Sequence, residues 1–393
     1  MIKLLNIKDI CSRFSSGKFI ASNKIQESGL YPVFGGNGLR GYTDTYNFDG
    51  SCAIIGRQGA YCGNVKFFSG KAYMTEHAIV AVANKNNNSR FLAYKFAMMD
   101  LGRYAGQSAQ PGLSVETLLD VNIDVPSKDV QDCIAQMLSA IDSKISSNNT
   151  ISSTLESLAK LIYDYWFVQF DFPDENGKPY KSSGGKMVWN EELKREIPKG
   201  WEVVNVDQLC SITSGYPFDS RSYVDDGEYQ VLTIKNIQDG YIINTTDSKI
   251  SSVPYGFPEC DILNIGDILM SLTGNVGRIG ILCAEKFLLN QRASVINPRD
   301  SNNKWYLYFL FRNKVFFNKI QRIATGTSQK NVSPIDIGNI RILHSAKIAK
   351  LFTNKVKDLV ERLILCNIEN QHLASLRDFL LPMLMNGQVT IKD

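Results

Sequence analysis

The sequence contains two copies of one pattern, and this internal duplication constrains the fold more than any other feature. The first copy opens with LLNIKDICSRFSSG and the second with VVNVDQLCSITSG, so that Asn6 aligns with Asn205 and Cys11 with Cys210. Three later pairs of segments correspond in the same order: IIGRQGAYCGNVKFF with LMSLTGNVGRIGIL, MTEHAIVAV with LNQRASVIN, and GQSAQPGLS with GTSQKNVS. A repeat of this size predicts two similar domains, and a chain of 393 residues is long enough for both.

Each copy ends in a predicted long helix with an apolar seam. Residues 130–166 and 348–384 carry apolar side chains at steps of three and four, and the two patterns align without a gap at an offset of 218 residues. Such steps are typical of a coiled-coil seam, so the two helices are expected to pack on each other. At 1.5 Å per residue, each would be about 55 Å long. The predicted seam residues are Ile134, Leu138, Ile141, Ile145, Leu155 and Leu158 in the first helix and Phe352, Val356, Leu359, Leu363, Leu373 and Leu376 in the second.

The seam is predicted to contain one irregularity. Two steps of three residues surround Asn148 between the apolar residues Ile145 and Ile151, and Cys366 marks the equivalent place in the second helix. A shortened step of this kind predicts a local change of register, shared by both copies.

These patterns predict an α+β chain in which two tandem-duplicated α/β domains alternate with two long helices. Each domain begins with short β-like segments and contains one helical stretch, SRFLAYKFAMMDLGRY or NKWYLYFLFRNKVFFNKI, before a turn capped by Ser114 or Ser333. Proline and glycine residues mark a linker between the copies. The predicted bounds are a first domain at 1–128, a helix at 129–170, a linker at 171–200, a second domain at 201–345 and a helix at 346–393.

The segment YPVFGGNGLRGY contains the glycine spacing of a dinucleotide-binding loop. That loop requires a buried strand before the glycines and a helix after them. Here Pro32 interrupts the preceding run, and YTDTYNFDG, which follows, has no helical period. Gly35, Gly36, Gly38 and Gly41 are therefore expected to form a tight turn with positive φ angles, and not a cofactor site.

The composition limits the kinds of site and partner that this chain can have, but it does not identify the function. The net charge is +4, from 43 basic and 39 acidic residues, which is compatible with nucleic-acid binding. Eight cysteines without a C-x-x-C pair and only three histidines argue against a zinc site and predict free thiols in a reducing cytoplasm. Without a long apolar window or a signal-peptide block at the N-terminus, no membrane partner is expected.

The arrangement resembles the specificity (S) subunit of type I restriction–modification systems over essentially the whole chain. The resemblance is carried by YPVFGGNGLRGY, by CGNV and its counterpart TGNV, and by LAKLIYDYWFVQFDFP at the end of the first helix. The resemblance extends to the linker NGKPYKSSGGKMVWN and the segment IPKGWEV after it, and to LASLRDFLLPMLMNGQV in the last helix. The aromatic run at 162–172 is expected to pack against the second domain or a methylation subunit.

This resemblance implies an architecture and a set of partners. Two target recognition domains, related by a pseudo-twofold, would be held apart by the two helices in an antiparallel coiled coil. Each domain would read one half of a bipartite site in double-stranded DNA, and the subunit itself would have no catalytic activity and no cofactor. The implied partners are two methylation subunits, which bring S-adenosylmethionine, and two restriction and translocation subunits, which bring ATP and Mg²⁺, in a system that defends the host against foreign DNA.

Candidate DNA-reading residues lie in loops at equivalent places in the two copies. Arg, Lys, Asn and Gln read base edges, whereas Ser, Thr and Tyr commonly hold phosphates. The candidates in the first copy are Asn37, Arg40, Tyr42, Arg57, Gln58, Tyr61, Lys66, Gln107, Ser108 and Gln110. Those in the second are Lys235, Asn236, Thr273, Asn275, Arg278, Gln291, Arg292, Thr327, Ser328, Gln329 and Lys330. Some of them are expected to be turn or capping residues.

Two other classes of function are weighed against DNA reading. A self-sufficient nuclease would use the P-D…E-x-K pattern that Pro173-Asp174 and Glu192-Leu193-Lys194 imitate, but a metal site needs these residues on paired strands and here they lie in the linker. An adenine methylase would need an Asp/Asn-Pro-Pro-aromatic tetrapeptide, which the sequence lacks, as it lacks a P-loop. A purely structural scaffold would not need two large domains with polar loops.

Overall fold

The computed structural model describes residues 2–59, 61–106, 112–326 and 329–389. They form two compact units: unit 1 takes its residues from 1–145 and 372–393, and unit 2 from 146–371. Both units combine β-sheets with helices, which confirms the predicted α+β class. Among the described residues, none of the helices has both the length and the apolar character needed to cross a membrane.

Unit 1 is built on a six-stranded sheet. The strands of unit 1, six of which form this sheet, are β1 Lys3–Asn6, β2 Cys11–Ser16, β3 Tyr31–Gly35, β4 Gly38–Thr43, β5 Phe48–Gly56, β6 Val65–Met74, β7 Ala78–Ala83 and β8 Asn122–Val125. Its helices are α1 Ile7–Ile10, α2 Ser89–Met98, α3 Val115–Leu119 and the first half of α4 Lys128–Tyr163. The sheet order is β2-β7-β5-β6-β3-β4, and β1 pairs with β8 separately. Helix α2, capped by Asn88, buries Phe91 and Phe96 in the core between sheet and helices.

Unit 2 contains a five-stranded and a four-stranded sheet. Its strands are β9 Met187–Asn190, β10 Arg195–Pro198, β11 Glu202–Asn205, β12 Cys210–Ser214, β13 Tyr229–Leu232, β14 Gly240–Tyr241, β15 Lys249–Ile250, β16 Ile262–Leu263, β17 Ile268–Ser271, β18 Ile279–Ile281, β19 Phe287–Leu289, β20 Ala293–Pro298 and β21 Arg341–His344. Its helices are α5 Lys304–Arg312, α6 Lys314–Ile323, α7 Pro334–Gly338 and most of α8 Ala346–Met385. The sheet orders are β12-β20-β17-β18-β14 and β15-β13-β19-β16, with β9–β10 and β11–β21 as separate pairs.

The duplication seen in the sequence recurs in the fold. The antiparallel set β2, β7 and β5 in unit 1 matches β12, β20 and β17 in unit 2, and the pair β1–β8 matches β11–β21. After the first strand of each set, a glycine amide donates to the start of its neighbour: Gly17 N to Ala78 O at 3.0 Å and Gly215 N to Ala293 O at 3.4 Å. Both glycines lie against backbone carbonyls that leave no room for a side chain. The two copies therefore share their register at this end, whereas the β2–β7 pair shifts its register between Cys11 and Arg13.

The two long helices run antiparallel within each unit. In unit 1, Arg377 of α8 pairs with Asp142 of α4 at 3.1 Å. In unit 2, the Tyr163 and Phe352 rings lie 5.7 Å apart. Early residues of one helix therefore meet late residues of the other. Helix α4 begins at residue 128 and α8 at residue 346, which preserves the offset of the two sequence patterns.

The observed seam differs from the predicted one in the second half of each long helix. Leu158 and Leu376, predicted to lie in the seam, are 43% and 46% exposed. The buried and half-buried residues of α4 instead continue at steps of three and four through Asn148 to Ala159, and Ile151 is 37% exposed, so the irregularity predicted at Asn148 is wrong. The prediction failed because polar and small side chains occupy several seam positions, and an apolar pattern passes over them.

The fully buried Asn148 marks this polar part of the seam. Its amide donates to Glu369 Oε2 at 2.8 Å and to Asn370 Oδ1 at 3.0 Å. Asn370 in turn donates to Asn149 Oδ1 at 2.8 Å. A buried amide layer of this kind favours one pairing of the helices over neighbouring registers. The other predicted seam residues are buried (Ile134, Leu138, Phe352, Val356 and Leu363) or half-buried (Ile141, Ile145, Leu155, Leu359 and Leu373).

The predicted linker is packed onto unit 2. Phe172 stacks between Tyr180 and Trp201, with ring centroids 4.6 and 5.3 Å away, and β9 and β10 form an antiparallel hairpin. The aromatic end of α4 also belongs to this core, because Tyr163 and Phe167 pack against the rings of α5 and α8. Of the two expected neighbours of the aromatic run, the structure therefore shows the second domain.

Candidate nucleic-acid interface

The glycine-rich segment of unit 1 forms a β-hairpin. Strands β3 and β4 are joined by the two-residue turn Gly36–Asn37. Gly38 and Gly41 have φ angles of 93° and 149°, as predicted for a tight turn. Gly35 and Gly36 do not share this conformation, so the predicted positive φ angles are wrong there. Gly36 instead allows a close approach, because a Cβ atom at this position would lie 3.2 Å from the His77 carbonyl oxygen.

Three segments that are distant in sequence meet at this hairpin turn. The Arg57 amide, just after β5, donates to His77 O, just before β7, at 2.9 Å. The Gln58 side chain lies 2.8 Å from His77 Nδ1. The Leu113 amide donates to Arg57 O at 2.8 Å, which brings in the segment that precedes α3. The hairpin turn, the two strand ends and this segment therefore form one surface.

Most predicted DNA-reading residues of unit 1 lie on this surface. Asn37, Arg40, Gln58 and Lys66 are exposed and Arg57 is half-buried. The Arg40 side chain lies over Gly35, and the Lys66 ammonium lies beside Gly38. Tyr61 is exposed on the same surface, because its backbone carbonyl packs against Gly56 at the end of β5.

Tyr42 lies apart from this surface. Its amide and carbonyl pair with Gln26 at 2.8 Å each, toward the far end of β4 and about 13 Å along the strand from the turn. The last candidates of this copy, Gln107, Ser108 and Gln110, lie outside the described residues.

Unit 2 repeats the same hydrogen bonds. The Leu272 amide, just after β17, donates to Arg292 O, just before β20, at 3.1 Å. The Val332 amide donates to Leu272 O at 3.0 Å, as Leu113 does to Arg57 in unit 1. Thr273 donates through its hydroxyl to Asn331 Oδ1 at 2.8 Å and reinforces this contact. The corresponding loops are therefore brought together in both copies.

A cleft of about 640 Å³ opens between these loops of unit 2. Five predicted readers line it: Lys235, Gln291, Arg292 and Gln329, which are exposed, and Asn236, which is buried. Lys330 is adjacent, and its backbone carbonyl accepts a hydrogen bond from the Gly274 amide at 2.8 Å. Asn275 is exposed on the neighbouring turn, and Thr327 and Ser328 lie outside the described residues.

Asn236, predicted to read DNA, has a structural role instead. It is only 3% exposed. Its Oδ1 accepts from the Thr233 amide and hydroxyl at 3.0 and 2.9 Å, and its Nδ2 donates to Ile243 O and Thr245 O at 2.9 and 3.0 Å. Because all four hydrogen-bonding positions of the amide are used inside the loop, this side chain cannot reach a base edge.

The loop that Asn236 holds contains a residue that the sequence patterns did not single out. Gln238 donates to the Lys235 carbonyl oxygen at 2.8 Å and accepts from Arg278 Nη1 at 2.7 Å. It therefore connects two predicted readers. Nothing in its local sequence, NIQDG, distinguishes it from an ordinary turn residue.

The residues of the nuclease-like pattern do not assemble into a site. Asp174 accepts from two amides of its own turn at 2.8 Å, Glu192 pairs with Arg341 at 2.8 Å, and Lys194 pairs with Glu191 at 2.9 Å. In the part of the chain that the structure describes, no group of three or more His, Cys, Asp or Glu side chains is placed to hold a metal ion. His77 pairs with Glu76 at 3.2 Å and with Gln58 at 2.8 Å.

Comparison with known proteins bears on both copies. A family model described as the type I restriction modification DNA specificity domain matches residues 2–157 and again residues 198–343. The chain is 39% identical over 152 residues to the type I restriction enzyme EcoprrI specificity subunit of Escherichia coli, and the match spans 38% of each protein. It is 26% identical over 314 residues to the MjaIX specificity subunit of Methanocaldococcus jannaschii, which covers 78% of this chain and 70% of that relative. The two-part match confirms the tandem duplication.

A solved structure shares the fold. The crystal structure of the type I restriction–modification S subunit from M. genitalium aligns with 98% of this chain and 96% of its own, with a TM-score of 0.67 and 16% sequence identity. At this identity the likeness concerns the fold alone.

Proposed function

The chain belongs to the family of type I restriction–modification DNA specificity proteins, and we propose that it reads a bipartite DNA site with one repeat for each half-site. One observation carries the proposal. In both copies the same pair of backbone hydrogen bonds, through Arg57 in unit 1 and Leu272 in unit 2, gathers loops that are distant in sequence. Loops held together by a rigid sheet are where recognition residues commonly lie.

The gathered side chains suit DNA recognition. Arginine can donate two parallel hydrogen bonds to guanine, and Asn or Gln can pair with adenine, whereas Lys neutralises phosphates. We assign the first half-site to the domain at 1–128, through the surface around Arg57 and Gln58, and the second to the domain at 201–345, through the cleft lined by Lys235, Gln291 and Arg292. The long helices would then set the number of base pairs between the half-sites, as the spacing of dimeric readers does.

The chain is proposed to act as a non-catalytic specificity subunit in the cytoplasm. Its double-stranded DNA target would be modified by two methylation subunits that carry S-adenosylmethionine, and cleaved by two restriction and translocation subunits that use ATP and Mg²⁺. A protein-binding scaffold is the alternative from another class; it would not require exposed basic and amide side chains on the same surface of both copies.

Salt-dependent DNA binding separates these two functions. The affinity of the purified chain for a fluorescent duplex, measured by anisotropy between 50 and 200 mM salt, should fall steeply for a DNA reader. Arg292→Ala and Lys66→Ala should each reduce the slope of log affinity against log salt by about 1. Lys160→Ala, which removes an exposed lysine of α4 outside the loops, is the matched control and should leave the slope unchanged. An affinity that does not depend on salt would favour the scaffold.

A further inference from the structure

We propose that Gln238 is a positioning residue for the second half-site, which holds the guanidinium of Arg278 in a single arrangement for DNA contact. The inference rests on the proposed function of the second repeat. It adds a residue that reads no base itself and acts through the arginine that it holds.

Both the nitrogen and the oxygen of the Gln238 side-chain amide form hydrogen bonds. Its Nε2 donates to the Lys235 carbonyl oxygen at 2.8 Å, and its Oε1 accepts from Arg278 Nη1 at 2.7 Å. Both Gln238 and Arg278 are half-buried. A guanidinium has five N–H donors, and this bond uses one of them. The arginine is thus oriented while most of its donors stay available for a base edge or a phosphate.

Gln238 is itself held in place by the backbone around it. Its backbone amide donates to Tyr241 O at 3.0 Å. Both residues belong to the loop in which the buried Asn236 side chain donates to Ile243 O. The next strand, β14, pairs in parallel with β18, so that Gly240 lies opposite Gly280, two residues beyond Arg278. The glutamine and the arginine therefore sit on adjacent, hydrogen-bonded elements.

The loop is also tied to the interior of unit 2. Arg312 of α5 pairs with Asp239 at 3.3 Å and with Glu156 of α4, and Tyr308 donates to the Gly240 carbonyl oxygen at 3.4 Å. Burial lowers the pKa of Arg312 to about 10, which leaves it charged at neutral pH. The residue next to Gln238 is consequently anchored to two helices.

A held arginine discriminates better than a free one. An unrestrained arginine loses side-chain freedom when it binds, and it can also adopt other rotamers that accept the wrong base. Two parallel bonds to a guanine require the guanidinium plane to be set in advance. Loss of the Gln238 bond should therefore weaken discrimination at the base that Arg278 contacts and leave other bases unaffected.

The test is a double-mutant cycle read out in the methylome of cells that carry the complete system. Arg278→Ala should relax one position in one half of the methylated motif about tenfold. Gln238→Met, which keeps the length of the side chain and removes both hydrogen bonds, should relax the same position severalfold. In the double variant, Gln238→Met should add nothing to Arg278→Ala, because its effect passes through the arginine. Gln136→Met, at an exposed glutamine of α4 outside these loops, is the control and should match the wild type.

Several results would overturn the inference. Gln238→Met could leave the motif unchanged while Arg278→Ala relaxes it, or its effect could add to that of Arg278→Ala. Arg278→Ala could relax no position at all. A uniform loss of methylation together with a lowered melting temperature of the purified Gln238→Met protein would show a structural role only. If the wild-type chain specified no split motif, the proposed function would fail, and this inference with it.

Discussion

The buried Asn236 offers the sharpest separation between a structural and a DNA-reading role. In Asn236→Ala, the Thr233 amide and hydroxyl lose their acceptor, and the Ile243 and Thr245 carbonyl groups lose their donor. Each neutral hydrogen bond contributes about 0.5–1.5 kcal/mol net, and the groups left behind are in a protein interior. Four such bonds predict a local destabilisation of about 2–6 kcal/mol.

Hydrogen exchange measures this loss where it occurs. Since every 1.4 kcal/mol is a tenfold change in an equilibrium constant, amides in peptides that span residues 229–246 should exchange at least about 30-fold faster in Asn236→Ala. Asn275→Ala, at an exposed asparagine of the same unit, should change exchange in its surroundings by less than about 0.5 kcal/mol. Unchanged exchange in Asn236→Ala, accompanied by lost discrimination between DNA sequences, would show that Asn236 reads DNA and has no structural role.

Three further predictions concern stability and reactivity. Burial lowers the pKa of His344 to about 4, below the usual 6.5, so unit 2 should lose stability as the pH falls from about 6.5 to 4, by up to about 3 kcal/mol; His344→Gln should flatten this part of a urea-unfolding series against pH. Asn148→Ala should cost about 2 kcal/mol in urea unfolding because it removes bonds to a carboxylate and to Asn370, and an unchanged midpoint would contradict the buried amide layer. Burial raises the pKa of Cys210 and Cys283 to about 12, so iodoacetamide at pH 8 should alkylate them only after denaturation, as peptide mass spectrometry would show.

The sequence predicted those parts of the fold that depend on periodicity and repetition. The two copies of the domain and the two long helices are visible as repeated patterns, and α4 and α8 begin at equivalent residues. The second half of the seam was not predictable in this way. The buried side chain at position 148 is the polar Asn148 and that at position 159 is only the methyl group of Ala159, whereas the larger apolar Leu158 is exposed.

In the candidate DNA-binding site, too, the repeated features could be predicted from the sequence and the long-range contacts could not. The loop at Arg57 could be aligned with the loop at Leu272, and the loop at His77 with that at Arg292, because the flanking sequences repeat. The roles of Asn236 and Gln238 could not be separated, since both are amides in one turn. Asn236 is enclosed by Ile243 and Thr245, which pair with it only after the loop has folded back. Gln238 meets Arg278 across 40 residues of sequence. Long-range hydrogen bonds of this kind leave no local pattern.

The central claim is that each repeat reads one half of a split DNA target. Single-molecule methylation mapping of the host genome, with and without this gene, tests it most directly. Removal of the gene should abolish one adenine-methylated motif of two short halves around a fixed gap, and replacing residues 1–128 with those of another family member should change one half only. A methylome that is the same with and without the gene, in cells whose methylation subunit is shown to be active, would contradict the claim.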